Sequence, residues 1–435
     1  MKTPLLPITG LGPMRATRGV AIGLLLAACS PPGPEEAAIR GHLVLEEGQD
    51  AAGATVALEP TGRTATADAD GKFQIDGLSA GSYDLEVSAP DHGIRRVRDL
   101  TVSAGVDVNV GAITLLTDVY FPPSLGTTQL DAGRTYHVSS EVVLVSNAEL
   151  RTTGESRIVI APEAQLVLEG RWTSEGDDWV EVTGAETRQE SGEVIVASGS
   201  GPHDFSAVDF HDLGSGVVIA GDAQTSFDGC RFERIDRVGI SSANARPSVT
   251  WSEFSDLPVA IELFDADTAH IARNRIEDCT DVGVRLSHAD PTIVDNEIIG
   301  CAIGIKVQYE SNPWIAHNAF EENAVGIWGH SCSPAHRVLP IEANQFDKSE
   351  DFDIQLIHNC YPLVSGNNFS TSVNIVYSGP RNAVMDTLGA EDNYWGTPDA
   401  NRIPRRILDL ADDPLRAPIL YEPFQLLPLM GTGPR

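Results

Sequence analysis

The chain has 435 residues, room for two or more domains, and 62 acidic against 30 basic side chains leave a formal net charge of −32. A surface of that sign repels polyanions, which excludes nucleic acid as a partner. Gly is frequent, Trp and Tyr are sparse, and no long amphipathic helical pattern appears, so the fold class expected is all-β, a small β-sandwich followed by a solenoid.

Arg15 and Arg18 precede the apolar run Val20–Leu26, and Ala27-Ala28-Cys29 follows it. The run is too short to span a bilayer and suits an export signal. Leu26-Ala27-Ala28-Cys29 resembles the bacterial lipoprotein lipobox, which implies cleavage of residues 1–29 before Cys29 and lipidation of that thiol. The anchor would be the chain's only hold on a membrane, placing it in the bacterial cell envelope. Ser30 resembles the residue that permits outer-membrane sorting, and Met14 would give a more typical leader length. Residues 30–38, with Pro31-Pro-Gly-Pro-Glu-Glu36, read as a short tether.

From 39 to 115 apolar and polar residues alternate in short runs: Leu43 and Leu45, Val56 and Leu58, Phe73 and Ile75, then Tyr83, Leu85 and Val87. Asp70-Gly71 predicts a two-residue hairpin turn. The phrases Gly53-Ala-Thr-Val56, Thr66–Ile75 and Leu78–Leu85 resemble the carboxypeptidase regulatory-like family. That resemblance implies a transthyretin-like β-sandwich acting as an accessory without catalytic residues. Asp68 and Asp70 read as turn formers, since no further carboxylate follows at calcium-loop spacing.

Residues 117–126, with Pro122-Pro123, read as a linker, and 127–425 as a solenoid. Runs such as Val142–Leu144, Ile158–Ile160 and Gln165–Leu168 would be early coils of imperfect period. Between 205 and 330 the rhythm is strict: Phe210, Phe232, Phe254, Ile276, Ile298 and Phe320 are each 22 residues apart. Such a period marks stacked units that cannot bury their apolar face singly. A leucine-rich horseshoe would need aliphatics two and five residues before Ile271 and Ile293; Ala269, Ala266, Pro291 and His288 stand there instead. The repeat is similar to the pectate-lyase-like family, which implies a right-handed parallel β-helix.

Asn274, Asn296, Asn318, Asn344, Asn367 and Asn393 precede successive landmark residues by two, as stacked amides inside a turn would. After Phe320 the spacing loosens. Asp392-Asn-Tyr-Trp395-Gly-Thr-Pro398 opens a segment, about 390–425, expected to cap the last coil, with Trp395 in its packing. Cys279 and Cys301 fall at one inward position of neighbouring coils. Cys332 and Cys360, on loops of adjacent coils, are expected to form a disulfide. No Cys/His set has zinc spacing, so no metal ligands are assigned.

Inward positions being filled, ligands must meet an outward column. One runs Glu262, Arg285, Lys306, Trp328. Beside it lies a ribbon of Asp265, Asp267, His288, Asp290, Tyr309, Glu310, His330 and His358. The expected role is a non-catalytic surface binding a polysaccharide or an envelope protein, with Glu262, Asp265, Asp290, Tyr309, Trp328 and His330 as contacts and no cofactor. The alternative is a polysaccharide lyase or C5-epimerase acting on uronate polymers. The family resemblance would then give Arg285 or Lys306 the catalytic role, with His288 a further candidate beside them, and place Ca2+ near Asp265 and Asp290.

Overall fold

A computed structural model describes residues 36–175, 179–185, 192–332, 337–381 and 386–435. The leader, Cys29 and most of the tether lie outside them.

Seven strands build the first domain: β1 (Ala37–Leu45), β2 (Thr55–Glu59), β3 (Arg63–Thr66), β4 (Lys72–Leu78), β5 (Gly81–Ala89), β6 (His92–Val102) and β7 (Val108–Leu115). They form two sheets, β4-β1-β7 and β3-β2-β5-β6. The alternation read from the sequence is the burial pattern. Ile39, Leu43, Val56, Leu58, Phe73, Ile75, Leu85 and Val87 fill the space between the sheets. The expected hairpin at Asp70-Gly71 is corrected, because β3 and β4 belong to different sheets. The turn is real but carries the chain across the sandwich. Asp68 Oδ1 accepts from the Asp70 and Lys72 amides at 2.9 and 2.8 Å, and Gly71 takes the left-handed φ of 71°.

Beyond Leu115 the chain winds as a parallel β-helix of three ribbons, met in the order one, two, three in each coil. Among the described residues they hold 11, 13 and 11 strands, the neighbouring pairs parallel and in register apart from one shift in ribbon two between Leu257 and Val259. The segment 117–126 is no linker: Val119–Tyr120 pairs with Thr135–Val138 in ribbon one, and Ser124–Leu125 with Val142–Leu144 in ribbon two. Pro122-Pro123 marks a corner between two strands of two residues each.

The landmark residues lie inward on ribbon one as a stack of rings. Phe210–Phe232 and Phe232–Phe254 are 4.8 and 4.7 Å apart and nearly parallel. After the aliphatic stretch the stack resumes through Phe320, Phe346 and Phe369 to Trp395, whose ring is fully buried 4.6 Å from Phe369. The small residue in ribbon two answers this stack: a Cβ at Gly304 would meet the Gly326 carbonyl at 2.5 Å and the Phe320 ring at 3.0 Å.

The asparagines form one ladder in the turn from ribbon three to ribbon one. Asn274, Asn296, Asn318, Asn344 and Asn367 each donate their backbone N–H to the Oδ1 of the next at 2.8–3.0 Å, and their Nδ2 to the same oxygen at 2.9–3.1 Å, ending on Asn393. Ser252 and Cys230 continue the column upstream. A left-handed residue precedes each rung, including Arg273, Asp295 and His317, which sharpens the corner at every level.

The cap reaches past residue 425. Ile403–Arg406 forms a 3-10 turn, Ile407–Leu408 closes ribbon two, and the Asn368 amide holds Leu429 and Thr432. Cys332 and Cys360 are disulfide-bonded, with Cα atoms 4.8 Å apart, and both lie buried in the loops that follow their strands. Cys230, Cys279 and Cys301 are free and buried.

Candidate functional site

Ribbon two brings the first column together. Glu262, Arg285, Lys306 and Trp328 are register partners on four successive strands, and Gln355 follows. Adjacent cations at coil spacing of about 4.8 Å repel unless each has its own partner. Here each does. Arg285 donates to Glu262 at 2.9 Å and also pairs with Asp281, a residue missed in sequence because it lies four earlier on the same strand. Lys306 Nζ sits 5.2 Å from the centre of the Trp328 ring.

The neighbouring corner carries the second ribbon. Asp265, His288, Tyr309 and Glu310 have left-handed φ values there, which turn their side chains outward. Phe264 and His288 are 5.8 Å apart, and His288 and Tyr309 stack at 6.0 Å. Trp328 and His330 stack at 6.1 Å, with His358 edge-on to His330 at 5.4 Å. Phe264 and Tyr309 are exposed by 45% and 51%, unusual for rings of that size. Phe264 had no place in the sequence-based list. Asp265 and Asp267 are exposed. Asp290 faces Arg337 at 2.7 Å and accepts the Asn312 amide at 2.6 Å. Among the described residues no three His, Cys, Asp or Glu side chains converge as a metal site would require.

A second constellation was not anticipated. The outer face of β2, β5 and β6 turns toward the outer face of ribbon one across a cleft of about 480 Å³. Glu59, Asp84, Glu86, Arg96 and Arg98 line one wall, and Glu155, Arg157, Trp179, Glu181, Asp209 and Arg231 the other. Arg157, Glu181, Asp209 and Arg231 are register partners on consecutive strands, a column of mixed sign with two carboxylates adjacent, and from Asp209 onward through Arg231, Glu253, Arg275 and Glu297 the sign alternates. Each from Asp209 onward stands one residue before a landmark, a signal present in the sequence.

Glu181 is the hub. His211 Nε2 lies 2.8 Å from Glu181 Oε1, Arg96 reaches Oε2 at 3.3 Å, and Arg157 lies at 3.4 Å. Burial would raise the Glu181 carboxyl, but the His211 hydrogen bond and the two guanidinium charges outweigh it and hold the pKa at about 2. Burial likewise opposes charge on His211, yet bonds to Glu181 and to Asp212, 2.7 Å away, raise its pKa. Asp209 is shifted upward by burial. Arg231 stacks over Trp179 at 4.9 Å. The two walls are tied by Arg134 to Glu46 at 2.7 Å and Arg95 to Glu155 at 3.1 Å, as well as by Arg96.

Comparison with known proteins accords with this architecture. Residues 38–116 match the carboxypeptidase regulatory-like domain, and residues 193–338 the right handed beta helix region. The chain carries both modules. No curated protein matches it. Two solved structures from Acetivibrio cellulolyticus, a C-terminal and an N-terminal interface mutant of a type II cohesin–X-dockerin complex, are each 20% identical. They are matched over 18% and 19% of this chain, with TM-scores of 0.17 and 0.18. The match spans 56% and 58% of those chains, so the likeness is local.

Proposed function

We propose that the protein is a lipoprotein of the bacterial envelope, anchored through Cys29, whose β-helix is a non-catalytic surface for a glycan. The row of rings along the edge of ribbon two carries this reading. Phe264, His288, Tyr309, Trp328, His330 and His358 occupy five successive coils, about 19 Å at the spacing of parallel strands. Such rings, flanked by amide and charged groups, offer flat apolar faces to sugar rings and polar edges to hydroxyls.

The pairing of Arg285 with two carboxylates favours binding over proton abstraction. A catalytic base in the lyase or epimerase sense needs a lone pair aimed at substrate, and Arg285 is engaged on both sides. Lys306 is set against an indole face, where its charge is stabilised.

The test is affinity electrophoresis and calorimetry with pectate, alginate and glycosaminoglycans, with and without Ca2+, alongside a scan for unsaturated or shortened products. The expected outcome is retention without turnover, weakened at least about tenfold by Trp328→Ala and by Tyr309→Ala. Turnover abolished by Arg285→Ala or Lys306→Ala would establish the enzyme instead. Absence of any glycan retention would remove the binding reading. Fatty-acid labelling that persists in Cys29→Ser would refute the anchor.

A further inference from the structure

The cleft between the sandwich and ribbon one is distinct from the ring row: it lies on another ribbon and needs both domains. Its volume, about 480 Å³, falls in the range of small-ligand sites. Its walls are fixed by ion pairs that cross between the domains, Arg134–Glu46, Arg95–Glu155 and Arg96–Glu181. A ligand would therefore meet a preformed shape and pay little to order it.

The lining states what such a ligand must be. Six carboxylates and four guanidiniums face the space. Most are consumed by one another: Glu86 and Glu181 by Arg96, Glu181 also by Arg157, Asp209 by Arg231 at 3.5 Å, and Glu155 by Arg95. Among the described residues Glu59, Asp84 and Arg98 have no ion-pair partner, and they supply two negative groups and one positive on the sandwich wall, Asp84 also accepting the Asp99 amide at 2.8 Å. A phosphate or other polyanion would meet an excess of carboxylates, and a polycation would meet the guanidiniums. An uncharged hydroxyl, which donates to a carboxylate and accepts from a guanidinium, suits both. Trp179, half-buried on the opposite wall, supplies the apolar face that a sugar ring needs.

We propose that this interdomain cleft is a second binding site, built jointly by the sandwich and the β-helix, for the uncharged rings of an oligosaccharide. The sandwich is then a wall of the site as well as a spacer. The inference stands without the ring row, since no residue is shared.

Calorimetry on the whole chain with cello-, xylo-, manno- and maltohexaose, and with a galacturonate hexamer, tests it. At least one neutral hexaose should bind saturably, and Arg98→Ala and Trp179→Ala should each weaken it at least about tenfold. Trp328→Ala should leave it unchanged. Arg98 is exposed and makes no ion pair among the described residues, so its variant with an unaltered melting temperature separates lost binding from lost folding. The proposal is overturned if no neutral hexaose binds, if Arg98→Ala binds as the parent does, or if the galacturonate hexamer binds this cleft more tightly than every neutral probe. Loss of uronate-polymer retention in Trp328→Ala reports only on the ring row, so the two readings fail separately.

Discussion

Inward and outward positions alternate along the same strands, yet they repeat differently along the axis. Inward, one residue type persists from coil to coil: phenylalanines at 210, 232 and 254, and asparagines from 274 to 393. Outward, identity changes at each level, from Glu262 to Arg285 to Lys306 to Trp328, or from Arg157 to Glu181 to Asp209 to Arg231. Identical side chains at 4.8 Å stack rings and chain amides, and both gain from repetition. Like charges at that spacing repel, so Arg285 beside Lys306 and Glu181 beside Asp209 are tolerated only because each has a different partner of its own. The inside of the coil is thus uniform, and the outside is free to encode a ligand.

The sharpest way to break that distinction is to remove one inward ring. Phe254→Ala leaves a void between Phe232 and the aliphatic coils, with the small residue of ribbon two above it. Destabilisation of about 3–5 kcal/mol is expected, read by denaturant titration. A cost below about 1 kcal/mol would mean that the ring stack is decorative. The next effect belongs to the ladder. Asn296 accepts from the Asn274 backbone and side chain, and donates to the Ile271 carbonyl at 3.0 Å and Asn318 Oδ1 at 2.9 Å. Asn296→Ala strands several buried groups at once, and about 3 kcal/mol is expected. Asn296→Asp should be no milder, because a carboxylate cannot donate to the Ile271 carbonyl. Hydrogen exchange should show the loss confined to the adjoining coils, as nearest-neighbour coupling in a solenoid requires.

Uniformity also explains what was legible beforehand. A residue that must recur at every coil announces itself, so the ladder, the landmark stack and the column ending at Trp328 could be read from a period of 22. The corner at 117–126 could not, because two-residue strands carry no periodicity and Pro122-Pro123 resembles a linker. The crossing at Asp70-Gly71 looked like a hairpin because a turn's residues fix its local geometry, not which strand receives it. The cleft was hidden for a different reason. Arg96 and Glu181 are 85 residues apart and meet only through the packing of one domain on another, which no repeat encodes. The alternating charges one residue before each landmark were visible, but nothing in them told which stretch the sandwich would cover.

The smallest effect sharpens the contrast between the two outward faces, since ribbon one has a half-buried titrating hub. The Glu181 pKa is depressed to about 2, so its contribution to stability is complete above the carboxyl's unfolded value of about 4.3 and is lost as pH falls toward 2. His211 has a raised pKa, so its contribution is complete below about 6.5, the unfolded imidazole value, and fades as pH rises through the folded one. Asp209, raised by burial, works against the acid limb, because its contribution declines with rising pH. Melting temperature should therefore be highest between about pH 4.5 and 6.5 and fall on both sides. His211→Gln should flatten the alkaline side and Glu181→Gln the acid side, whereas Trp328→Ala, outside this network, should reproduce the parent profile. If His211→Gln and the parent trace the same alkaline curve, folding does not favour the charged imidazole. The charge on Glu181 would then be balanced by Arg96 and Arg157.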